Sequence, residues 1–345
     1  MRLLDDLLTE ARDAGASDIH FSQGRPPYFR IDGVLKAVTQ EPLTAQDVEG
    51  MINSLVDNNP KARKELEEKL QADFSYALSD GTRFRVNVFH RMGRETAVLR
   101  IIPNQIRTVE ELNLPSHILQ FAELKQGFVL IVGSAGHGKS TTMAALVDHV
   151  NEHRHDHIVT IEDPIEYQFT DKRSIVDQRE VGHDALSFIE AIRVTLRQDP
   201  NVIMIGELRD LESMQTAITL AETGHLVFTS LHTNDAAQTI QRIIDSFPAA
   251  QQAQIRSQLA SAISGVISQR LLPWKKGGRI PAVEIMVATT AIRNSIREDN
   301  VHQIPGVIQT GVEVGMQTLD SSLQALIDAG EISIEDAKPY FLTNR

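Results

Sequence analysis

The sequence predicts an α/β protein, a P-loop core preceded by a small α+β domain, and three observations carry that prediction. The stretch GSAGHGKSTT, from Gly133 to Thr142, stands between the apolar run FVLIV and the helical pattern MAALVDHVNEH. Through the middle of the chain, short apolar runs (FVLIVG, HIVTIED, NVIMIGE, LVFTSLH) alternate with helical segments, the pattern of a parallel sheet with crossover helices. Ahead of Leu114 the pattern differs. There, alternating runs such as TRFRVNVFHR read as an antiparallel meander.

Composition narrows the function classes. A chain of 345 residues is long enough for two cores, and 41% hydrophobic with 23% charged residues is ordinary for a globular protein. The formal net charge of -12 disfavours nucleic acid as the main partner. With no cysteine, disulfides, thiol nucleophiles and thiolate zinc sites are excluded. The apolar runs are too short to span a bilayer, and MRLLDDLLTEARDAG sets acids within its apolar pattern, unlike a signal peptide. A cytoplasmic location is expected. Residues 1–102 are expected to form the first domain, 103–115 a polar linker (NQIRTVEELNLP), and 116–345 the second domain with a helical C-terminal part.

In chain order, LLDDLLTEARDAG has helical spacing and stops at Gly15, and SDIHF alternates as a strand. PPYFRIDGVLKAV reads as two strands joined at Asp32-Gly33. TAQDVEGMINSLV and KARKELEEKL read as helices, and ADFSYAL, TRFRVNVFHR and ETAVLRIIP as strands with a turn at Asp80-Gly81. Beyond Ala249 the expectation is mostly helical, with QQAQIRSQLASAISGVISQRLL taken as one helix and RIPAVEIMV as an interrupting strand.

The chemistry begins at Gly133-Ser134-Ala135-Gly136-His137-Gly138-Lys139-Ser140, which satisfies G-x-x-x-x-G-K-[ST] and continues into Thr141. The glycines let backbone N–H groups turn toward anionic oxygens, and the following helix adds its positive end. Lys139 is expected on the β- and γ-phosphates of ATP and the Ser140 hydroxyl on Mg²⁺. Acids for the metal and the attacking water are expected at strand ends. Glu207 follows NVIMIG as a Walker-B acid, while Glu162 and Asp163 are metal candidates whose alternative is a turn or cap before Pro164. Glu166 is a candidate for positioning water. His225 and His232 bracket the run LVFTSL and read either as γ-phosphate sensors or as strand caps. His153, His155 and His157 in HRHDH lack metal-site spacing and read as a solvated turn.

GHGKSTT, TIEDPIE, DPNVIMIGELRD and AETGHLVFTSLHT, in that order, resemble the Walker A, Asp box, Walker B and His box of the type II/IV secretion-system ATPases. GASDIHF and FRVNVF extend the resemblance over nearly the whole chain. AIRNSIRE and GMQTLD are similar to motifs of the branch that retracts type IV pili in twitching motility. The resemblance implies a RecA-like ATPase domain under a PAS-like N-terminal domain, assembled as a homo-hexamer. It implies roles for Lys139, Ser140, Glu166, Glu207, His225 and His232 as above, and sends Arg85 and Arg100 toward the γ-phosphate; without it these two read as surface ion pairs. The implied partner is an inner-membrane pilus platform protein, and the implied location the inner face of the cytoplasmic membrane.

The missing cysteines and short N-terminal region count against the assembly and type II secretion ATPases, which usually carry a four-cysteine zinc insertion. Departures remain. Ser134, Ala135 and His137 stand where the family has Pro, Thr and Ser, and Ser295 replaces a usual leucine in AIRNSIRE. An accessory motor beside a second retraction ATPase therefore stays open. Outside the family, a RecA-like nucleic-acid motor or a regulator without turnover are the alternatives.

Overall fold

A computed structural model describes residues 4–31, 34–57, 59–102 and 105–341. The chain divides into two compact units, Met1–Gln105 with Pro164–Gln168, and Ile106–Asp163 with Phe169–Arg345. Pro103 and Asn104, where the linker was expected to begin, lie outside the described residues, as does the Asp32-Gly33 turn.

In the first unit, α1 (Leu4–Asp13) buries Leu4, Leu7, Leu8 and Ala11 at helical spacing. It stops before Gly15, whose φ of +67° a side chain would resist. β1 (Asp18–Ser22), β2 (Tyr28–Ile31) and β3 (Val34–Ala37) follow. α2 (Ala45–Val56) begins with a reciprocal cap between Thr44 and Asp47, and α3 (Pro60–Lys69) with Asn59. β4 (Gln71–Ala77), β5 (Arg83–Arg91) and β6 (Arg94–Ile102) complete an antiparallel sheet ordered β3-β2-β1-β6-β5-β4. The expected Asp80-Gly81 turn is present, with Gly81 at φ +89° and Asp80 accepting from the Thr82 amide at 2.8 Å. Alternation sorts the strands. Phe84, Val86 and Val88 of β5 join the core with α1 and α2, so Arg83, Arg85 and Asn87 occupy the opposite face.

The second unit carries the predicted parallel sheet. Its strands are β7 (Gly127–Val132), β8 (His157–Glu162), β9 (Ile175–Glu180), β10 (Val202–Ile205), β11 (Leu226–Leu231), β12 (Ile263–Pro273) and β13 (Arg279–Val287). Their order is β13-β12-β7-β11-β10-β8-β9, parallel except for β13 against β12. The helices are α4 (Lys139–His153), α5 (Phe188–Thr195), α6 (Leu211–Glu222), α7 (Ala236–Asp245), α8 (Ala249–Ala262), α9 (Thr290–Arg297), α10 (Ile304–Thr310), α11 (Leu319–Asp328) and α12 (Ile334–Ala337). Every residue of β7, β10 and β11 is buried, which is why each reads as an unbroken apolar run rather than an alternation. This is the RecA-like arrangement, in which β11 separates the P-loop strand from the strand that leads to Glu207.

One expectation fails here. QQAQIRSQLASAISGVISQRLL is not one helix. It breaks after Ala262, and Ile263–Pro273 runs as a strand beside β7. The β-branched Ile263, Val266 and Ile267 favour extended backbone. Gly265 has its own reason to lack a side chain, because a Cβ there would lie 2.2 Å from the fully buried Phe121 ring. β9 was also not anticipated. Its sequence IVDQRE is polar because it is an edge strand, so no apolar run announces it.

AIRNSIRE forms α9 with its flanks. Ile292 and Ile296 enter the core, and Arg293 donates to the Ala260 and Ser261 carbonyls at 2.6 and 2.7 Å, capping the C-terminal end of α8. Ser295, the departure from leucine, is buried and returns its hydroxyl to the Ala291 carbonyl at 3.0 Å.

Candidate nucleotide site

Because β7, β8, β10 and β11 are parallel, the loops after them emerge at one edge of the sheet. That edge gathers the P-loop after β7, Asp163 after β8, Glu207 after β10 and His232 after β11. The order of the strands sets the order of the groups. His232 falls between Lys139 and Glu207 because β11 lies between β7 and β10.

The loop Gly133–Gly138 needs its glycines. Gly133 has φ +149° and passes so close to β12 that a Cβ would lie 2.6 Å from the Gln269 carbonyl oxygen. Gly136 and Gly138 are at φ +76° and +82°. Gly138 is also the N-cap of α4 and supplies no side-chain acceptor, so the first amides of α4 are left for an anion. Ser134, Ala135 and Gly136 are exposed, His137 is half-buried, and Ser140 and Thr141 stand in the first turn of α4.

Lys139 is 8% exposed. Its Nζ donates to the Gly133 and Ser134 carbonyls at 2.9 and 3.2 Å and to His232 Nδ1 at 3.3 Å. A lysine ammonium can only donate, so Nδ1 accepts and the other ring nitrogen carries the proton. That Nε2 lies 3.2 Å from Glu207 Oε1. The three groups form one polar chain, ammonium to imidazole to carboxylate.

Arg209, which sequence reasoning did not single out, bridges two of the expected acids. It donates to Asp163 Oδ2 at 3.2 Å and stands 3.5 Å from Glu207 Oε2. Glu162 is buried, and its Oε1 accepts from the Thr160 hydroxyl at 2.7 Å and from Gln178 Nε2 at 3.2 Å. All three acids meet protein donors, and Glu207 alone is linked to the P-loop, through His232. Asp210, another acid of GELRD, caps α6 by accepting from the Ser213 amide at 2.8 Å.

One candidate moves away. His225 precedes β11 and His232 follows it, so a strand of about 20 Å separates the two ring positions. His225 Nδ1 is bonded to the Leu220 carbonyl at 2.9 Å, at the edge opposite the P-loop, which corrects its expected place in the phosphate site of this chain. The strand-cap reading describes it. His153, His155 and His157 likewise sit where α4 gives way to β8, and no cluster suited to a metal ion is found among the described residues.

Arg85, Arg100 and Glu166 belong to the first unit. Arg85 and Arg100 are exposed and directly opposed in the β5–β6 register. Arg100 donates to the buried Asp18 at 2.9 Å. Burial alone would raise the Asp18 carboxyl, but bonds from Ser17 and Arg100 outweigh it and hold the group below the usual carboxylate range. Glu166 is exposed.

Sequence reasoning also missed what lies behind the loop. Gln269 donates to the His137 carbonyl at 2.9 Å and accepts from the Thr142 hydroxyl at 2.7 Å. Arg270 donates to the Asn234 carbonyl at 2.6 Å, and Arg279 to the Gly136 carbonyl at 2.9 Å. Gln269 and Arg270 lie in the part of β12 whose sequence reads as helix, so no local signal marks them.

Residues 1–332 match the family model described as Type II/IV secretion system protein. The chain is 46% identical over 335 residues to the type IV pilus retraction ATPase PilT of Pseudomonas aeruginosa, covering 97% of each. It is 44% identical over 313 residues to a twitching motility protein of Neisseria gonorrhoeae, covering 90% of this chain and 83% of that one. Among solved structures, the pilus retraction motor PilT with bound ADP matches with a TM-score of 0.92 at 45% identity, covering 99% of this chain and 98% of that one.

Proposed function

This chain belongs to the type II/IV secretion system protein family, and from that premise we propose that it is an ATPase motor that retracts type IV pili. The observation that carries the reading is the Lys139–His232–Glu207 chain at the phosphate edge of the sheet. It supports the reading by setting the lysine expected on the transferred phosphate and the acid expected on the attacking water at the two ends of one imidazole.

In this reading the amides of the P-loop and of the first turn of α4 take the phosphate oxygens, and Lys139 exchanges its loop carbonyls for the β- and γ-phosphates. Ser140 and Glu207 would hold Mg²⁺. A hydroxyl and one carboxylate, with substrate phosphates completing the shell, suit a small hard cation. When bound, the ion neutralises charge developing on the β- and γ-oxygens. Glu207 takes the proton of the attacking water, Glu166 is the acid that would help position that water, and His232 reports the γ-phosphate through its bond with Lys139. Arg85 and Arg100, brought in by movement of the first unit within a homo-hexamer, stabilise the transferred phosphoryl group. Hydrolysis then depends on domain position, and that dependence makes a motor. The load is applied through an inner-membrane platform protein from the cytoplasmic face. No helix among the described residues is long and apolar enough to cross a membrane.

The test is a deletion strain complemented with wild type or Lys139→Ala. The proposal expects the deletion and the variant to accumulate pili and lose twitching, with no ATPase activity in the purified variant. Loss of pili altogether would instead identify an extension motor, and normal turnover by the variant would overturn the phosphate assignment.

A further inference from the structure

β12 is longer than the strand it accompanies. Its pairing with β7 ends at Ser268 opposite Val132, while the strand runs on to Pro273. Past Ser268 the edge that faced β7 has no neighbouring strand, because the chain of β7 has turned away into the phosphate loop. Backbone amides on such an overhang need acceptors from elsewhere. The loop supplies one. The Leu271 amide donates to His137 Nδ1 at 2.9 Å, an imidazole in place of a missing ladder carbonyl.

We infer that His137 is a positioning residue that clamps the phosphate loop to the overhang of β12, its Nδ1 accepting the Leu271 amide and so fixing the curvature of the cradle. Two further bonds act from the same side on neighbouring carbonyls, Gln269 Nε2 to the His137 oxygen and Arg279 Nη1 to the Gly136 oxygen, each at 2.9 Å. Those two donors grip backbone, which any residue at 137 would offer. The Nδ1 contact alone depends on the side chain. Gly133 at the other end of the loop already lies against the Gln269 carbonyl, so β12 holds the loop at both ends. Through Arg270 and Asn234 the same three-residue stretch reaches the loop that carries His232.

Nδ1 can accept only while it is unprotonated. The charged groups that face the ring all oppose a proton there. Burial comes first, then Arg270 of β12, Lys139 of α4 and Arg279 of β13, and together they hold the imidazole below its ordinary range. Protonation would set a second N–H against that of Leu271 and open the clamp.

This inference rests on the phosphate reading of the loop, and the experiment separates the two. ATPase kinetics of the full-length protein are measured from pH 5 to 8 for wild type, His137→Ala, His137→Asn and Lys139→Ala. Asparagine Oδ1 falls near the place of Nδ1 and does not titrate. With one hydrogen bond lost from the cradle, His137→Ala should raise KM for ATP by about two- to tenfold while kcat changes little. His137→Asn should recover most of that loss. In wild type, KM should also climb once pH falls beneath the ordinary imidazole range, since burial and the neighbouring cations hold the His137 ring below it, and His137→Asn should lack that rise. A wild-type KM in His137→Ala, or an asparagine variant no better than alanine, overturns the clamp. Full turnover in Lys139→Ala overturns the phosphate reading itself.

Discussion

Lys139 and His232 come from loops on neighbouring strands, β7 and β11, and meet with Nζ 3.3 Å from Nδ1. The contact fixes the imidazole as acceptor toward the P-loop and as donor toward Glu207. A γ-phosphate that draws Lys139 forward must disturb this contact, and the disturbance reaches Glu207 through one ring. Removing the ring should therefore act on chemistry more than on binding. His232→Ala is expected to lower kcat by roughly 10²-fold, the scale of losing one preorganised donor, with nucleotide affinity changed far less. Single-turnover hydrolysis beside equilibrium binding of a fluorescent ATP analogue checks it. An affinity loss as large as the rate loss would make His232 a binding residue only.

Glu207 is only partly exposed and keeps contacts with both His232 and Arg209. Glu207→Gln preserves shape and removes the base. ATP should remain bound while hydrolysis slows by about 10² or more. If binding vanishes instead, Glu207 acts first on the nucleotide and its metal.

Arg85 and Arg100 stand opposite each other across β5 and β6, and like charges so placed repel. Asp18 offsets this by pairing with Arg100, and Arg30 stands 3.7 Å from the same carboxylate. Arg85 has no such ion pair among the described residues. It is thus the freer of the two to leave the sheet surface for a phosphate. Arg85→Ala should reduce turnover of the assembled protein by about 10³ or more, the range of an arginine finger, with ATP affinity nearly kept. Unchanged turnover would remove Arg85 from the mechanism.

Much of this site is legible in the sequence. The P-loop and the place of Glu207 at a strand end follow from apolar runs that end in glycine or acid, because a fully buried parallel strand writes itself as such a run, whereas the order of the strands across the sheet does not. The helices of the first unit were equally plain, since α1 and α2 carry both an apolar stripe and a cap or glycine stop. What stayed hidden was tertiary. Nothing local shows that Ile263 begins a strand, since a buried apolar stretch after a helix continues the helical pattern just as well. With β12 unseen, Gln269, Arg270 and the anchoring of His137 were unseen too. His225 failed for a related reason. Both histidines flank one apolar run, and only the direction of the strand says which end meets the phosphate.

Gly133→Ala tests the backbone requirement of the cradle. The substitution brings a Cβ to 2.6 Å from the Gln269 carbonyl at a φ of +149°, and neither β7 nor β12 can yield, since both are buried in the sheet. Loss of nucleotide binding is expected together with a fall in stability of about 1–3 kcal/mol. Gly136→Ala serves as the comparison. Its Cβ would meet nothing within 4 Å, so only the cost of φ +76° applies, and its stability should fall by less, about 1 kcal/mol. Equal losses for the two glycines, measured by urea unfolding, would mean that close approach to β12 does not set the requirement.

Glu284 gives a prediction about pH. It lies on β13, 5% exposed, and accepts from the Ala236 amide at the start of α7 at 2.8 Å. Burial raises its carboxyl to about 7; Asp235 and Asp320 push the same way, and the Ala236 amide and Arg270 pull back. The folded protein therefore binds this proton more tightly than the unfolded chain, whose glutamates titrate near 4.3. Stability from this group is complete below the unfolded value, declines as pH rises from about 4.5 to 7, and is gone above 7. Glu284→Gln is neutral throughout and keeps an oxygen for Ala236. Relative to wild type the variant should gain stability as pH rises across that window, by on the order of 1–3 kcal/mol in all, and the gain should level off above pH 7. Urea unfolding of both proteins at intervals from pH 4.5 to 8 measures it. A constant difference across the series would show that Glu284 carries its charge in the folded protein at no cost.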